Sequence, residues 1–284
     1  MSYQLLEGEI TIANEIVKYE NRLNSIPLRK FNSREMNIFF SIASRARDKG
    51  TNEIELTFEQ LKSLSQYKQH GEQFVTDLNK TYQKLVSLNA MTDDGVTITA
   101  FVLFTEYTIN RDTQTVKISV NPKFKGMLNE LSHWTRFSLE QFAKLKSTYS
   151  KTLFRLLKQY RTVGKRQFSE EEFRLLLDIP KSYRPTDIDR RILKLAKEEL
   201  SPIFKGLSVS KKHGGRGNKV TGYLFTWKPE INKADDFKHY GDEFLSVHAV
   251  EQNNDLTPEE KDRAIRRLKG LPLSDSNIFG DTTF

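Results

Sequence analysis

The sequence of 284 residues contains no cysteine, which excludes disulfide bonds, thiol catalysis and zinc sites with cysteine ligands. It also lacks a long apolar run, since clusters such as residues 101–104 stay far below the roughly 20 apolar residues of a membrane helix. The chain does not start with a basic, apolar leader, because its first charged residues are Glu7 and Glu9. These absences predict a cytoplasmic protein without a membrane partner.

Sequence motifs of catalysis are equally scarce. A nicking enzyme needs a His-x-His metal pair beside a tyrosine, and none of the five histidines has that spacing. A phosphate-binding loop ends in Gly-Lys-Ser or Gly-Lys-Thr, whereas Gly164-Lys165 is followed by Arg166. Carboxylate pairs such as Asp93-Asp94 fall in predicted turns or at helix starts rather than in apolar surroundings. We therefore predict a non-enzymatic protein that uses neither a metal nor another cofactor.

The charge of the chain is distributed unevenly. The net charge is +8, but residues 231–284 carry 7 basic and 11 acidic residues, a net charge of −4. Residues 1–230 therefore hold 38 basic and 26 acidic residues, a net charge of +12. A basic body of this kind attracts polyanions, most commonly nucleic acid. Charge alone leaves a merely soluble basic protein equally open.

The order of predicted elements occurs twice. In the first half, an amphipathic helix and a short strand come before Thr57 and Gln60, which form a capping box that opens a short helix. A longer helix follows, with Leu78, Tyr82 and Leu85 on one face. Two strand-like stretches close this half.

The second half repeats that order. Its first helix is predicted to be one long helix capped by Ser138, and a second capping box at Ser169 opens a short helix. The longer helix carries Ile188, Ile192 and Leu195 at the same i, i+4, i+7 spacing, so all three are predicted to face the core. Two strand-like runs follow, with a Gly-rich basic loop between them.

A helix, a short helix, a longer helix and a β-hairpin, in that order, are typical of a winged helix-turn-helix unit. We therefore predict an α+β fold of two tandem winged helix-turn-helix domains with a pseudo-repeat topology; an unrelated α+β fold is the alternative. The predicted domains are an N-terminal winged-helix domain at residues 1–130, a C-terminal winged-helix domain at 131–230, and an acidic tether with a short amphipathic helix at 231–284.

The second unit is predicted to read DNA. Its longer helix places Ile188 and Ile192 on one side and polar or cationic side chains on the other, as a helix in the major groove requires. The predicted major-groove residues are Arg184, Thr186, Asp187, Arg190, Arg191, Lys194 and Lys197. An ordinary solvated helix face is the alternative interpretation.

Further cations surround that helix. Residues 141–166 hold eight Lys or Arg residues and no acid, a one-sided charge that favours phosphate contact because a solvated helix normally interleaves acids. The predicted backbone and wing contacts are Lys144, Lys146, Lys151, Arg155, Lys158, Lys211, Lys212, Arg216 and Lys219, with Lys80 in the first unit.

The first unit is less basic on the equivalent helix face, where Thr76, Lys80, Gln83 and Ser87 lie. We predict that this unit touches the DNA backbone rather than the bases. Its apolar strand pair also predicts a homodimer that forms through a strand or helix face of this N-terminal domain.

Several stretches resemble one known family. They are Ile16-Val17-Lys18 through Leu23-Asn24; Tyr183 with Ile188-Asp189-Arg190-Arg191-Ile192-Leu193; Ala196, residues 198–200 and Pro202-Ile203; and Gly222-Tyr223-Leu224-Phe225-Thr226-Trp227. Over roughly residues 10–230 the chain is similar to the iteron-binding initiators of theta-replicating plasmids, the Rep_3 or RepB-type family.

This resemblance implies a plasmid replication initiator. In such proteins the second winged-helix domain reads direct repeats (iterons) in double-stranded origin DNA, and the first contacts the adjacent backbone and mediates dimerisation. The resemblance also implies opening of an A·T-rich region, recruitment of the host initiator and helicase, and copy control through repression of the initiator's own promoter by the dimer. By position, Arg184, Arg190, Arg191 and Lys194 match the family's reading-helix cations. A winged-helix transcriptional regulator without initiator activity is the alternative.

Overall fold

The computed structural model describes residues 15–230, apart from 27, 29, 48–52, 69, 70, 94, 130–133 and 215–218, together with residues 258, 261 and 262. The chain divides into two compact units, residues 1–230 and 231–284. In the smaller unit Pro258, Lys261 and Asp262 are helical. The rest of the amphipathic helix that the sequence predicts there lies outside the described residues.

The first half of the larger unit contains one three-stranded sheet and a separate hairpin. Its elements are β1 (Ile16–Glu20), a 3-10 helix (Asn21–Ser25), α1 (Ser33–Ala46), β2 (Glu53–Thr57), α2 (Phe58–Ser65), α3 (Glu72–Val86), β3 (Asn89–Asp93), β4 (Ile98–Val102), β5 (Phe104–Asn110), β6 (Thr115–Val120) and α4 (Pro122–Asn129). The sheet has the order β2-β6-β5, and β3 pairs with β4. Both sets of strands are antiparallel.

The second half follows the same plan. Its elements are β7 (Trp134–Ser138), α5 (Leu139–Lys144), α6 (Thr148–Lys158), β8 (Lys165–Ser169), α7 (Glu170–Leu177), α8 (Pro185–Ile188), a π-helical turn (Asp189–Leu193), α9 (Lys194–Leu200), β9 (Ser208–Gly214) and β10 (Lys219–Thr226). Its sheet has the order β8-β10-β9. In both halves the first strand pairs with the last and the last pairs with the middle one, so the predicted α+β fold of two winged-helix units is confirmed.

The short helices α2 and α7 end in the same way, but only α2 begins with a complete capping box. The hydroxyl of Thr57 accepts the Gln60 amide and the Gln60 side chain accepts the Thr57 amide, which completes the predicted capping box. Ser169 accepts the Glu172 amide, but the Glu172 carboxylate pairs with Arg166 instead of returning to the cap. At the other ends, Gln66 and Asp178 both adopt left-handed backbone conformations with φ of 53°.

One predicted helix is in fact two. The single long helix expected after Ser138 is interrupted between Lys144 and Thr148, where α5 ends and α6 begins. The Ser147 hydroxyl accepts the Ser150 amide and so caps α6 independently. A helix interior leaves no free backbone N–H for such a cap, which makes the serine a start signal.

Helices α5 and α6 pack on both halves of the larger unit. Phe142 of α5 and Phe154 of α6 join the aromatic cluster around Phe40 of α1 and Phe137 of β7. β7 pairs along its whole length with β1, from Ile16 opposite Ser138 to Glu20 opposite Trp134. The domain boundary after residue 130 remains a prediction, and residues 134–158 lie against elements on either side of it.

The first residue of the closing sequence Gly222–Trp227 has to be glycine for a steric reason. A Cβ atom at Gly222 would overlap the carbonyl oxygen of Phe168 on the neighbouring strand β8. Only glycine allows the two backbones to approach so closely, and it lies beside the irregularity in the β9–β10 pairing.

Within the described ranges, the helices are all too short or too polar to cross a membrane.

Candidate nucleic-acid interface

The reading helix, residues 185–200, consists of α8, the π-helical turn and α9 in continuous succession. Pro185 is its first residue, and the Asp187 carboxylate accepts the Arg184 amide at 3.1 Å, which satisfies a free N–H at the helix start. Its buried row contains Ile188, Ile192, Ala196 and Leu200. The prediction that Leu195 belongs to this buried row is wrong, because its side chain is 42% exposed.

The predicted reading cations lie on the solvent side of this helix. The Arg190 and Arg191 side chains are 70% and 51% exposed. Arg184, Thr186, Lys194 and Lys197 are exposed as well. Neither Arg190 nor Lys194 is covered by another described element, so both side chains are accessible from solvent.

Asp187 holds cations in place rather than pointing freely outward. One of its oxygens lies 3.5 Å from the Arg190 guanidinium and 3.7 Å from that of Arg191. Arg191 also donates to the Tyr183 hydroxyl at 3.3 Å, and its guanidinium lies 5.1 Å from the centre of the Tyr183 ring. The interpretation of Asp187 as a base-reading residue stays a prediction, and in the structure its carboxylate also caps the helix start and lies near two arginines.

The β9–β10 hairpin is tied to the reading helix. The Lys211 ammonium forms an ion pair with Asp189 of the π-helical turn at 2.5 Å, so Lys211 braces the wing against the helix. Lys212 and Lys219 are exposed further along the same hairpin. Arg216 lies outside the described residues.

Two cations at the corner between α5 and α6 also face solvent. Lys144 is 64% exposed and pairs with Glu140 one turn earlier. Lys146 is exposed, and its backbone amide together with that of Ser147 donates to the Glu199 carboxylate near the end of the reading helix. These contacts place the α5–α6 corner beside the reading helix.

The prediction of phosphate contacts at Lys151 is wrong, because this side chain is fully buried. Its ammonium donates to the Asn37 side chain at 2.6 Å and to the Phe142 carbonyl at 2.5 Å. It also lies 4.2 Å from the centre of the Phe142 ring. Burial lowers the pKa of Lys151 to about 7, against a smaller opposing effect of Glu199.

The predictions of phosphate contacts at Arg155 and Lys158 are also wrong, because both side chains are buried and bind groups of the protein. The Arg155 guanidinium donates to the carbonyls of Leu23 and Asn24, and only 2% of the residue is exposed. Lys158 pairs with Glu230 at 2.6 Å. The uniform charge of α6 therefore reflects buried carbonyls, a buried amide and the half-exposed Glu230 carboxylate. Sequence periodicity could not distinguish these partners from external phosphates.

The outer face of α3 borders an open groove of about 490 Å³. Lys80, the predicted backbone contact of the first unit, is exposed there. The groove is lined by Val75, Thr76, Asn79, Lys80, Gln83, Ile109 and Arg111. Sequence reasoning missed Asn79, which accepts the Tyr107 hydroxyl at 3.0 Å, and Arg111 at the turn after β5. The signal for Asn79 was its position three residues after Thr76, on the same helix face.

Among the described residues, no group of three His, Asp or Glu side chains could hold a metal ion.

Two family models match consecutive parts of the chain. The model described as "Initiator Replication protein, WH1" matches residues 16–158, and the model described as "Initiator Rep protein, WH2" matches residues 169–227. The chain belongs to the Rep3 family of replication initiators.

A curated relative and a solved structure agree with this assignment. The Rep3 chain is 37% identical over 224 residues to the "Probable replication protein rep" of Bifidobacterium longum (strain NCC 2705), an alignment that covers 77% of this chain and 74% of the relative. Its fold is similar to that of the Pi initiator protein, solved in complex with iteron DNA, with a TM-score of 0.61. That match covers 78% of this chain and 99% of the other at 13% identity, so it shows the shared fold.

Proposed function

We propose that this Rep3 protein initiates plasmid replication by binding repeated iteron sequences in double-stranded origin DNA. The observation that carries the proposal is the outward row of the reading helix, where Arg190 and Lys194 face solvent while Ile188 and Ile192 are buried opposite them. A helix that is anchored on one side and cationic on the other fits the major groove, where arginine and lysine recognise guanine.

The surroundings of this helix support a duplex as the ligand. We propose that Arg184, Thr186, Arg191 and Lys197 extend the major-groove contact, and that exposed cations beside it contact phosphates. These phosphate contacts are Lys144, Lys146, Lys212 and Lys219. The family and the Pi initiator, which was solved with iteron DNA, support the same ligand class.

The first unit is proposed to contact the DNA backbone through Lys80 and Arg111 at the groove beside α3. The cationic, amide and hydroxyl side chains in the lining of this groove suit phosphate and sugar contacts. We also propose that this unit forms the homodimer, since Met91, Ile98 and Val102 expose apolar surface on the β3–β4 hairpin. Sedimentation of a Val102→Glu variant should then give monomers at concentrations where the unmodified protein dimerises, and unchanged dimers would contradict this surface.

The later steps of initiation are proposed on the family resemblance. They comprise opening of an adjacent A·T-rich region, recruitment of the host initiator and helicase, and repression of the protein's own promoter by the dimer. A plasmid that depends on this protein for maintenance would support initiation. Promoter control without any origin activity would favour a transcriptional regulator instead.

The direct test is footprinting on the DNA that flanks the gene, followed by binding titrations on the protected duplex and on a scrambled duplex. The protein is expected to protect repeated segments and to prefer them over the scrambled sequence. The double variant Arg190→Ala/Lys194→Ala should lose that preference. A matched control is Lys117→Ala, because this half-exposed lysine faces Glu53 and Glu55 on the sheet of the first unit. Equal binding to both duplexes by the unmodified protein would refute the proposal.

A further inference from the structure

Leu195 is an apolar side chain exposed on the reading helix. It is 42% exposed, whereas the buried row of the same helix contains Ile188, Ile192, Ala196 and Leu200. Other exposed large apolar side chains among the described residues lie on other elements: Met91, Val96, Ile98, Val102, Val163 and Leu175. Leu195 is thus the exposed large apolar side chain, among the described residues, that lies on the helix proposed to enter DNA.

The π-helical turn explains why Leu195 faces outward. In α3 the buried residues Leu78, Tyr82 and Leu85 follow the i, i+4, i+7 spacing of a regular α-helix. In the reading helix the wider π-helical turn, Asp189–Leu193, lengthens this spacing to steps of four residues. Ala196 thereby takes the core position that Leu195 would have in a regular helix, and the leucine is rotated out of the core.

The neighbours of Leu195 are cations. Arg191 is four residues earlier and therefore lies on the same side of the helix, and Lys194 is the adjacent residue on the outermost row. An apolar group between two exposed cations is poorly suited to an apolar protein partner, because burying it would also remove both charges from water. The major groove of DNA suits this arrangement, since it offers acceptors to the cations and the thymine 5-methyl as its apolar group.

We propose that Leu195 contacts a thymine 5-methyl group and thereby selects an A·T pair at one position of each repeat. The inference rests on the proposed function, because it requires the reading helix to lie in the major groove. Leu195 then determines which base is preferred at that position of the repeat. A hydrogen-bonding side chain in its place would favour a different base. The contact buries one methyl group, which corresponds to about a fourfold change in affinity.

The test replaces each thymine of the footprinted duplex, one at a time, with deoxyuridine, which lacks the methyl group but keeps the O4 acceptor. The unmodified protein should bind one substituted duplex about fourfold more weakly. Leu195→Ala should bind the thymine duplex about fourfold more weakly and should not respond to deoxyuridine at that position. Leu195→Gln keeps a long side chain and good helix propensity, and it should show the same insensitivity if the alanine variant is poorly folded.

Leu175→Ala is the matched control, because Leu175 is a 62% exposed leucine on α7 rather than on the reading helix. This variant should respond to deoxyuridine as the unmodified protein does. The proposal is overturned if no substituted duplex binds more weakly, or if the Leu195 variants keep the full response. If the unmodified protein showed no preference for the footprinted duplex over a scrambled one, the proposed function itself would be refuted.

Discussion

Helix α6 and the reading helix both carry lysine and arginine at helical spacing, but they use them in opposite ways. In α6, Lys151 and Arg155 are enclosed by packed elements and donate to side-chain and backbone oxygens of the protein. On the reading helix, Arg190 and Lys194 remain in solvent. The number of cations on a helix is similar in the two cases, while the groups that surround them differ completely.

This difference shows which property separates a structural cation from a recognition cation. A buried cation needs a partner within the protein for its donors, because an unpaired buried charge is strongly destabilising. A recognition cation must keep donors available, and acids such as Asp187 can only orient it. The comparison therefore predicts that substitutions in α6 change stability, whereas those on the reading helix change DNA binding.

The largest effect is expected for Arg155→Ala. Removing the guanidinium leaves the carbonyls of Leu23 and Asn24 without their buried donor. The free energy of unfolding should fall by about 3 kcal/mol, measured by urea denaturation of the full chain. A loss below about 0.5 kcal/mol would place Arg155 with surface residues and would remove the distinction between the two helices.

Arg190→Ala should give the opposite result. Specific binding to the footprinted duplex should weaken by about 2 kcal/mol, while the free energy of unfolding should change by less than about 0.5 kcal/mol. Binding titrations and urea denaturation of the same preparation measure the two quantities. An Arg190→Ala protein that binds the repeat normally would show that the helix is oriented differently on DNA.

Lys151→Met should change how stability depends on pH. The folded protein holds the pKa of Lys151 at about 7, below its ordinary value of 10.5, so the unfolded chain binds more protons between these two values. Stability contributed by this group therefore rises with pH across that window, by at most about 1.4 kcal/mol per pH unit. Methionine cannot titrate, so the variant should lack this increase. Parallel pH profiles of unfolding for the two proteins would contradict the burial of the charge.

The smallest effect is expected for Lys212→Ala on the wing. Loss of one phosphate contact should weaken binding to repeat and scrambled DNA equally and should lower the slope of log affinity against log salt by about one. Titrations at several salt concentrations measure this slope. Lys151→Met should leave it unchanged, because that ammonium is inside the protein. A lower slope for Lys151→Met as well would mean that α6 does contact DNA.

Local signals made the fold predictable. Thr57 and Ser169 cap helices directly after strands, and Leu78, Tyr82 and Leu85 show a regular core spacing, so element order and type could be derived from neighbouring residues. The exposed cations Arg190 and Lys194 could be predicted in the same way, because they lie opposite aliphatic residues on one helix.

The errors at Lys151 and Arg155 came from interactions between distant residues, and the error at Leu195 came from an irregular helical turn. The partners of Lys151 and Arg155 include Asn37 and Leu23, more than 100 positions earlier in the chain, and no local pattern reveals them. The exposure of Leu195 depends on the π-helical turn. No residue type between Asp189 and Leu193 predicts such a turn. Charge and periodicity describe one helix, whereas burial depends on what packs against it.

The pairing of β1 with β7 bears on how this protein can be dissected. A fragment that starts after residue 130 would keep β7 but lose its partner β1, and the bare backbone of such a strand invites pairing with other molecules. The same cut would strip Lys151 and Arg155 of Asn37 and Leu23 and leave two charged side chains in an opened cavity. We therefore expect the two halves to fold poorly as separate pieces even if they divide the work on DNA between them, and changes aimed at DNA specificity are best made with residues 16–230 kept as one block.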